Sequence, residues 1–336
     1  MASRISKVAQ FAGVSEATVR RVINGHGRPT PASMAAVLTA LDVFGYERPD
    51  ALGGQRNGLV GLVLPDLRNP TFPTFAEEIS VALLRSGLAA ALCTRTSEGL
   101  SEADYIEMLL AHATAGIIFV GSSFADAGAR QGRALRRRRI PTVLINPADD
   151  NPGRARVSVD DALAVRMALD HLAALGHTRI GLVCGPVGHV PSGRKLRAFR
   201  DHCRGTPRLR GSDALVASTI FSPEGGEAAT LRLLTRGVTA VVCGSDQLAI
   251  GAMRAARRRG LRVPDGLSVV GFDDSRFMTE TNPPLTTLRQ PVVPMAEAAV
   301  EALLRQIGGG DPPGDEEIFD PELIVRGSTA RPAARA

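Results

Sequence analysis

The chain lacks the features expected of an exported or membrane-embedded protein. None of its apolar runs approaches the roughly 18 residues that span a bilayer. The first residues, MASRISKVAQFAG, mix charged and apolar positions where a secretion signal is continuously apolar. Its cysteines form no CxxC pair, so the sequence indicates neither a disulfide framework nor a zinc ribbon; they are Cys93, Cys184, Cys203 and Cys243. We therefore expect a cytoplasmic protein with no membrane partner.

Motifs of catalysis and cofactor binding are missing as well. The sequence has no GxxxxGK[ST] loop, no HExxH, no GxSxG and no GxGxxG after the first apolar run of its larger region. Its 6 histidines show no metal-ligand spacing. These absences argue against an enzyme, and they predict neither a cofactor nor a bound metal.

Positive charge is concentrated near the amino terminus. The chain has 40 Lys and Arg against 34 Asp and Glu, which gives a net charge of +6. Within residues 1–28 the only acidic side chain is Glu16, while the basic ones are Arg4, Lys7, Arg20, Arg21 and Arg28. A local excess of this kind suits the phosphates of a nucleic acid.

The same region has the pattern of three short helices. Two are predicted over residues 6–12 and 16–23, and a third begins with Pro31 in its first turn. Gly13 and Ser15, between the first two, suit a left-handed C-cap and an N-cap. Two helices joined by a tight Gly-Val-Ser turn predict a helix-turn-helix, although a bare pair of antiparallel helices would share this pattern. The second helix favours DNA binding because its exposed residues suit base edges and phosphates; these are Ala17, Thr18, Arg20 and Arg21.

From residue 59 the pattern changes to short, nearly continuous apolar runs that alternate with amphipathic helices. The runs are LVGLVL, AAALC, GIIFV, TVLI, RIGLVC, AVVC and SVVGF. One intervening helix opens with a Ser101 and Asp104 capping pair. The alternation predicts an α/β fold with doubly wound parallel sheets. Because seven or more strands over about 270 residues are more than a single open sheet usually holds, we expect two similar lobes.

Polar residues directly follow the predicted strands. Ligands of open α/β sheets bind beyond the carboxyl ends of the strands, which selects Asp66, Asn69, Ser122, Ser123, Asn146, Asp160, Asp161, His189, Asp246, Asp273 and Asp274. Together with the aromatic side chains of Phe72 and Phe221, which can pack against a ligand, this set predicts a cleft for a polar, polyhydroxylated small molecule. Any single member is equally explained as an ordinary polar loop residue.

Several blocks in a fixed order resemble the LacI/GalR repressor family over nearly the whole chain. VAQFAGVSEATVRRVINGHGRPTP resembles the family signature VAxxAGVSxxTVSRVLNG, and GLVLPDLRNPTF, SVDD, HLAALGHTRIGLV, VTAVVCGSDQLAIGA and PPLTTLRQP resemble later blocks. The resemblance implies a helix-turn-helix domain over 1–47, a hinge or linker over 48–58 and a periplasmic-binding-protein-like domain over 59–330. Its first lobe would comprise 59–158 and 289–319, and its second lobe 160–287 and 321–330, with crossovers near Asp160, Leu288 and Asp320.

The resemblance also implies a transcriptional repressor that binds a near-palindromic operator as a homodimer and is controlled by a small polar effector, a sugar or sugar derivative. Together with the charge pattern it predicts DNA contacts at Ser6, Lys7, Ser15, Ala17, Thr18, Arg20, Arg21, Asn24, His26, Thr30, Leu52 and Arg56. Effector contacts are predicted at Thr71, Phe72, Ser122, Asp160, His189, Arg194, Lys195, Phe221, Asp246 and Asp273.

Two departures from the family pattern change what we expect. Family members often have Arg four residues before the aromatic of an RxxGF block, where this chain has Lys195, a point charge that cannot form a bidentate fork. The linker contains Gly53 and Gly54, which disfavour helix by about 1 kcal/mol each, and Arg56 where the family has a wedging Leu. Leu52 is then the only apolar wedge candidate. We predict a weak or absent hinge helix.

Three alternatives stay open at the level of sequence. A stand-alone solute-binding protein would have the same large region, but it would need an export signal and would not need residues 1–47. An enzyme on a doubly wound fold would need a catalytic constellation. A DNA-binding protein whose lobes serve only for dimerisation would bind no effector.

Overall fold

The structure of the protein is a computed structural model. It describes residues 4–23, 30–46, 58–94, 100–112, 114–121, 135, 139–148, 154–312 and 314–333. The chain divides into two compact units, Met1–Gly58 with Leu84–Ala89, and Leu59–Leu83 with Ala90–Ala336. Among the described residues no helix is long and apolar enough to cross a bilayer.

The helical unit agrees with the predicted helix-turn-helix. Its helices are α1 (Arg4–Ala12), α2 (Glu16–Ile23) and α3 (Pro31–Val43). Gly13 adopts a positive φ of 64° between the first two helices, as predicted for a left-handed cap. One apolar cluster holds the three helices together and consists of Val8, Ala9, Val19, Val22, Val37, Ala40 and Leu41. The turn and this small core fix which face of α2 is left exposed.

The larger unit contains two six-stranded sheets, in agreement with the two lobes that the sequence predicted. The first has the order β11-β5-β4-β3-β1-β2. Its strands are β1 (Leu59–Leu64), β2 (Ala89–Thr94), β3 (Gly116–Val120), β4 (Thr142–Ile145), β5 (Ala155–Val159) and β11 (Glu316–Phe319). The second has the order β12-β10-β9-β8-β6-β7. Its strands are β6 (Ile180–Cys184), β7 (Val216–Ser218), β8 (Ala240–Cys243), β9 (Ser268–Asp273), β10 (Thr286–Arg289) and β12 (Glu322–Ile324).

Helices cover both sheets and carry the chain between parallel strands. They are α4 (Thr71–Arg85), α5 (Glu102–Ala111), α6 (Asp161–Ala174), α7 (Val190–Gly205), α8 (Pro223–Leu234), α9 (Asp246–Arg258) and α10 (Val292–Ile307). Short 3₁₀ helices span Pro207–Leu209, Ser212–Ala214 and Arg276–Thr279. The predicted capping pair is present at α5, where the Ser101 hydroxyl accepts from the Asp104 amide and the Asp104 carboxylate accepts from the Ser101 amide.

Three crossovers join the two sheets. The chain leaves the first sheet after β5 at Asp160, returns after β10 at Gln290, and leaves again between β11 and β12 at Asp320. Leu288 lies within β10, where it pairs with Phe272 and Leu323, so the second crossover follows it by two residues. Within the described residues, the carboxyl ends of the parallel strands therefore face a region bounded by all three crossovers.

Helices α8 and α9 pack on the second sheet with their backbones in close approach. A Cβ built at Gly251 would lie 2.2 Å from the carbonyl oxygen of Pro223, and one at Gly226 would lie 2.3 Å from that of Leu248. Only residues without a Cβ allow this distance, because backbone atoms cannot move aside as a flexible side chain can.

The substitution Gly251→Ala should therefore lower the free energy of unfolding by about 1–3 kcal/mol through overpacking. The matched control is Gly193→Ala in α7, where a Cβ meets nothing within 4 Å. That change should leave stability unchanged or raise it by up to about 1 kcal/mol, because alanine is the better helix former. Urea unfolding of both variants measures the difference, and equal effects would contradict the close approach of α8 and α9.

Candidate functional site

The exposed face of α2 is the candidate DNA-binding surface. Val19 and Val22 are buried against α1 and α3, which leaves Ala17, Arg20 and Arg21 exposed on the other side. The helix starts at an N-cap, since the Ser15 hydroxyl accepts from the Thr18 amide at 3.1 Å. Two guanidinium groups and a small side chain on one short helix can contact phosphates, guanine edges and thymine methyls.

The other predicted DNA contacts fall into two groups. Ser6 and Lys7 lie on α1, and Thr30 caps α3 by accepting from the Ser33 amide at 3.2 Å. The remaining four lie outside the described residues; they are Asn24, His26, Leu52 and Arg56. The prediction of a weak hinge helix concerns the same undescribed linker and stays a prediction.

A cleft of about 700 Å³ lies between the carboxyl ends of the two sheets. Its walls come from the residues after β1, β3 and β4 on one side, and after β6, β8 and β9 on the other. Six of the predicted effector contacts line it together: Thr71, Phe72, His189, Lys195, Phe221 and Asp273. A cleft of this size accommodates a small molecule of one to a few rings.

A chain of side-chain hydrogen bonds crosses the floor of this cleft from one lobe to the other. Asn146, after β4, donates from Nδ2 to Oε1 of Gln290 at 2.8 Å. Gln290, at the second crossover, donates from Nε2 to Oδ1 of Asp273 at 2.6 Å. Asn146 and Asp273 both adopt positive φ, 45° and 117°, a strained backbone that occurs where surrounding contacts enforce it. We name this chain Asn146–Gln290–Asp273 the interlobe bridge.

Two neighbouring buried carboxyl groups lie at the second-lobe end of the bridge. Burial and then the Asp246 charge raise the pKa of Asp273 to about 8. Burial likewise raises the pKa of Asp246 to about 6, although its carboxyl accepts hydrogen bonds from Ser275 and Thr287. Two like charges this close cannot both ionise freely, so Asp273 holds a proton at neutral pH and can donate to a ligand.

A buried ion pair supplies the only cation among the described residues that line the cleft. Lys195 Nζ lies against the Asp161 carboxylate and 3.8 Å from the centroid of the Phe272 ring. Both charged side chains are at least nine-tenths buried. Because each compensates the other, the pair adds hydrogen-bonding capacity to the cleft with little net charge.

His189 faces the cleft from the amino terminus of α7. Its Nδ1 accepts from the Ser192 amide at 3.3 Å and so caps the helix. Its ring meets Phe221 edge to face, with centroids 5.2 Å apart. Burial and then the charge of Lys195 lower its pKa to about 4. The imidazole is therefore neutral at physiological pH.

Three predicted effector contacts do not line the cleft, and a fourth is undescribed. Asp160 caps α6 by accepting from the Leu163 amide at 2.7 Å. Arg194 points away and forms a two-pronged pair with Glu316, with both N–O distances 2.8 Å. Asp246 is buried beneath the cleft and its carboxyl is saturated by protein donors. Ser122 lies outside the described residues.

Sequence reasoning missed Gln290 as a site residue. The rule that selected polar residues after apolar strands would have found it, since Gln290 directly follows β10. However, β10 has the sequence TTLR, which lacks a continuous apolar run. Asn146 was among the polar residues after predicted strands but not among the predicted effector contacts.

Comparison with known proteins covers almost the whole chain. A family model described as a periplasmic binding protein-like domain matches residues 169–329. An uncharacterised HTH-type transcriptional regulator in the aml 5' region of Streptomyces limosus is 48% identical over 333 residues, which is 98% of this chain and 95% of that protein.

Solved structures give the same match. The lac repressor dimer bound to operator and the anti-inducer ONPF has a TM-score of 0.77 at 25% identity, covering 98% of this chain and 100% of its own. The complex of the transcriptional regulator CelR with cellobiose has a TM-score of 0.71 at 26% identity, covering 97% and 99%. The described helices and both sheets thus have counterparts in proteins of one architecture.

The raised pKa of Asp273 predicts a pH dependence of stability. Between its unfolded value near 3.8 and its folded value of about 8, the native state binds a proton that the unfolded chain lacks. Stability from this group is therefore fully present at low pH and is lost as pH rises, by at most about 1.4 kcal/mol per pH unit. Asp273→Asn keeps an acceptor for Gln290 but cannot ionise, so its loss of stability from pH 5 to 8 should be smaller.

Urea unfolding at four pH values measures this slope. The control is Asp311→Asn, because Asp311 is exposed on a loop. It should follow the wild-type slope. An Asp273→Asn slope equal to that of the control would contradict a buried proton at this site.

Proposed function

The chain belongs to the LacI/GalR family of transcriptional regulators, and from that premise we propose that it represses transcription by binding a near-palindromic operator as a homodimer under the control of a small polar effector. The observation that supports this most directly is that one chain contains both the exposed arginines of α2 and a polar cleft between two lobes. Its relatives are named as transcriptional regulators and not as enzymes. The site of action is then the cytoplasm, where the operator is.

In this proposal α2 enters the major groove of one half-site. Ala17 is small enough to contact a thymine methyl, while Arg20 and Arg21 reach guanine edges or flanking phosphates. Two copies related by two-fold symmetry would contact the two half-sites of the operator. The lac repressor structure, a dimer bound to operator, supports this arrangement.

The cleft is the proposed effector site. Its aromatic side chains, Phe72 and Phe221, can pack on the apolar face of a sugar ring, and Lys195, His189 and Asp273 supply hydrogen-bonding groups. The CelR structure contains cellobiose, which supports a sugar as the class of ligand. A ligand that contacts both lobes biases the angle between them, and the dimer transmits that angle to the DNA-binding helices.

This assignment disfavours the alternatives that the sequence left open. A stand-alone solute-binding protein needs no helix-turn-helix, yet the similarity to the Streptomyces limosus regulator extends over nearly the whole chain. A repressor whose lobes only dimerise has no need of buried charged groups in an open cleft, which cost free energy to maintain.

A nuclease footprint of the purified protein on the DNA around its own coding region tests the DNA-binding half. A protected site with two-fold symmetry is expected, and its protection should change when the effector is added. Protection of no symmetric site would overturn the proposal.

Arg20→Ala and Arg21→Ala should each weaken operator binding. Loss of a base contact costs about 1–3 kcal/mol, and loss of a phosphate contact reduces the slope of log K against log salt by about 1. The control is Arg257→Ala, an exposed arginine near the end of α9 in the larger unit. Operator affinity measured at several salt concentrations should be unchanged in the control, and an unchanged affinity and slope in both α2 variants would contradict a DNA role for this helix face.

Effector binding should stabilise the protein by mass action. A ligand at 100 times its Kd raises the free energy of unfolding by about 2.7 kcal/mol, which thermal unfolding across a panel of sugars, nucleosides and sugar phosphates detects. Phe221→Ala should reduce the shift given by any active compound, because it removes an aromatic wall of the cleft. Ile220→Ala is the control, since this exposed neighbour does not line the cleft. Equal loss in both variants would argue against binding in the cleft.

A further inference from the structure

The position of His189 fixes which of its ring nitrogens bears the proton. A backbone N–H can only donate, and the Ser192 amide points at Nδ1. The Ser192 hydroxyl lies 2.9 Å from the same nitrogen and can donate as well. A neutral imidazole has one acceptor and one donor nitrogen, so Nδ1 is the acceptor and the proton resides on Nε2.

Nε2 has no hydrogen-bond partner among the described residues, and His189 lines the cleft. The ring is held from two sides, by the cap to α7 and by the edge-to-face contact with Phe221. The adjacent backbone is also tied to the opposite lobe, because the Val190 amide donates to the Ala148 carbonyl at 2.8 Å. The imidazole therefore presents one N–H in a fixed direction.

The charged groups around His189 keep it neutral, and among the described residues that line the cleft they leave no unpaired cation. Lys195, on the same helix, opposes protonation of the imidazole and is itself neutralised by Asp161 of α6. Asp273 of β9 is held by Gln290, and Asp66 after β1 accepts from the backbone amide of Arg68. The described lining thus contains three carboxyl groups and one paired cation; they are Asp66, Asp161, Asp273 and Lys195.

We infer that His189 determines the specificity of the cleft for an uncharged glycoside: its Nε2–H donates to a hydroxyl or ring oxygen of the ligand, and the described lining offers a phosphate or carboxylate no cation other than Lys195, which Asp161 already pairs. This inference rests on the proposed function, since it assumes that the effector occupies the cleft. A sugar phosphate would bring two negative charges to a described lining whose single cation, Lys195, is already paired with Asp161 and where Asp66 is a further carboxylate, so this arrangement discriminates against it.

Nitrogen-15 NMR of the imidazole groups tests the tautomer without any ligand. The protein has 6 histidines, and His189→Asn identifies the resonance of interest by its disappearance. From pH 5 to 8 we expect a neutral ring with the proton on Nε2. A resonance of the Nδ1–H tautomer, or of an imidazolium at pH 6, would overturn the inference.

Calorimetry with matched pairs tests the class of ligand. The probes are cellobiose and glucose, each compared with its 6-phosphate. Within a pair we expect the neutral sugar to bind at least ten-fold more tightly and to move the His189 resonance. A phosphate that binds equally well or better would overturn the inference.

Two variants separate the donor from the helix cap. His189→Asn keeps a side-chain oxygen that can accept from the Ser192 amide, so α7 should stay capped, but it withdraws the Nε2–H donor. Binding of the neutral sugar should weaken about ten-fold, the effect of losing one hydrogen bond to a ligand. The control, His112→Asn, changes an exposed histidine at the carboxyl end of α5 that does not line the cleft, and this variant should bind normally. Unchanged affinity in His189→Asn would overturn the assignment.

These outcomes are distinguishable from failure of the proposed function. If the protein protects no symmetric operator, the regulator assignment fails whatever the state of His189. If it protects an operator while neither neutral probe moves the His189 resonance, the specificity inference is overturned and the DNA-binding function stands.

Discussion

The interlobe bridge is the interaction on which the geometry of the cleft depends. It joins the carboxyl end of β4 to that of β9 through Gln290, which uses both atoms of its amide and so has one possible orientation. Asn146 also accepts from the Val159 amide at 3.0 Å, which fixes the end of β5. The next residue, Asp160, donates its amide to Phe319 at the end of β11. One hydrogen-bonded group therefore connects all three crossovers, and it holds two backbone positions whose strain costs about 1–3 kcal/mol each.

Contacts farther from the bridge divide into strong ones near the crossovers and weak ones at the mouth of the cleft. Near the crossovers, the guanidinium of Arg194 on α7 donates to both carboxylate oxygens of Glu316 on β11, with both N–O distances 2.8 Å. At the mouth, Arg276 pairs with Glu77 at 3.0 Å, but both side chains are more than half exposed. An exposed pair of this kind contributes little and is screened by salt. The two lobes are thus firmly joined at one edge and loosely joined at the other, which is the arrangement that a hinge requires.

The sequence predicted the strands that are continuous apolar runs but not the shorter or more polar ones. All seven apolar runs form strands, and six of them are central strands covered on both faces; β3, β4, β6 and β8 are buried throughout. The seventh run, AAALC, forms the edge strand β2. The strands that the sequence did not predict are short or charged. One of them, β11, has the sequence EEIF and lies at the edge of its sheet with no buried residue. Gln290 was missed together with its strand. The direction of a side chain also could not be predicted from sequence. The position of Asp246 after a strand does not show that its carboxyl group lies beneath the cleft.

The neighbouring residues Arg194 and Lys195 show why that direction matters. Both were predicted to contact the effector, but Arg194 pairs with Glu316 outside the cleft lining, whereas Lys195 lines the cleft. The planar guanidinium of Arg194 matches both oxygens of Glu316, in an interlobe pair that remains partly solvated. Lys195 has a compact charge that one carboxylate and one aromatic face can compensate in a nearly dry site, whereas a guanidinium there would leave several donors unsatisfied. Of 40 basic residues only Lys7 and Lys195 are lysines. The floor of the cleft thus has room for the compact ammonium group of Lys195 but not for a planar guanidinium. Because Asp161 compensates this ammonium group, a ligand meets individual N–H donors there and no net positive charge.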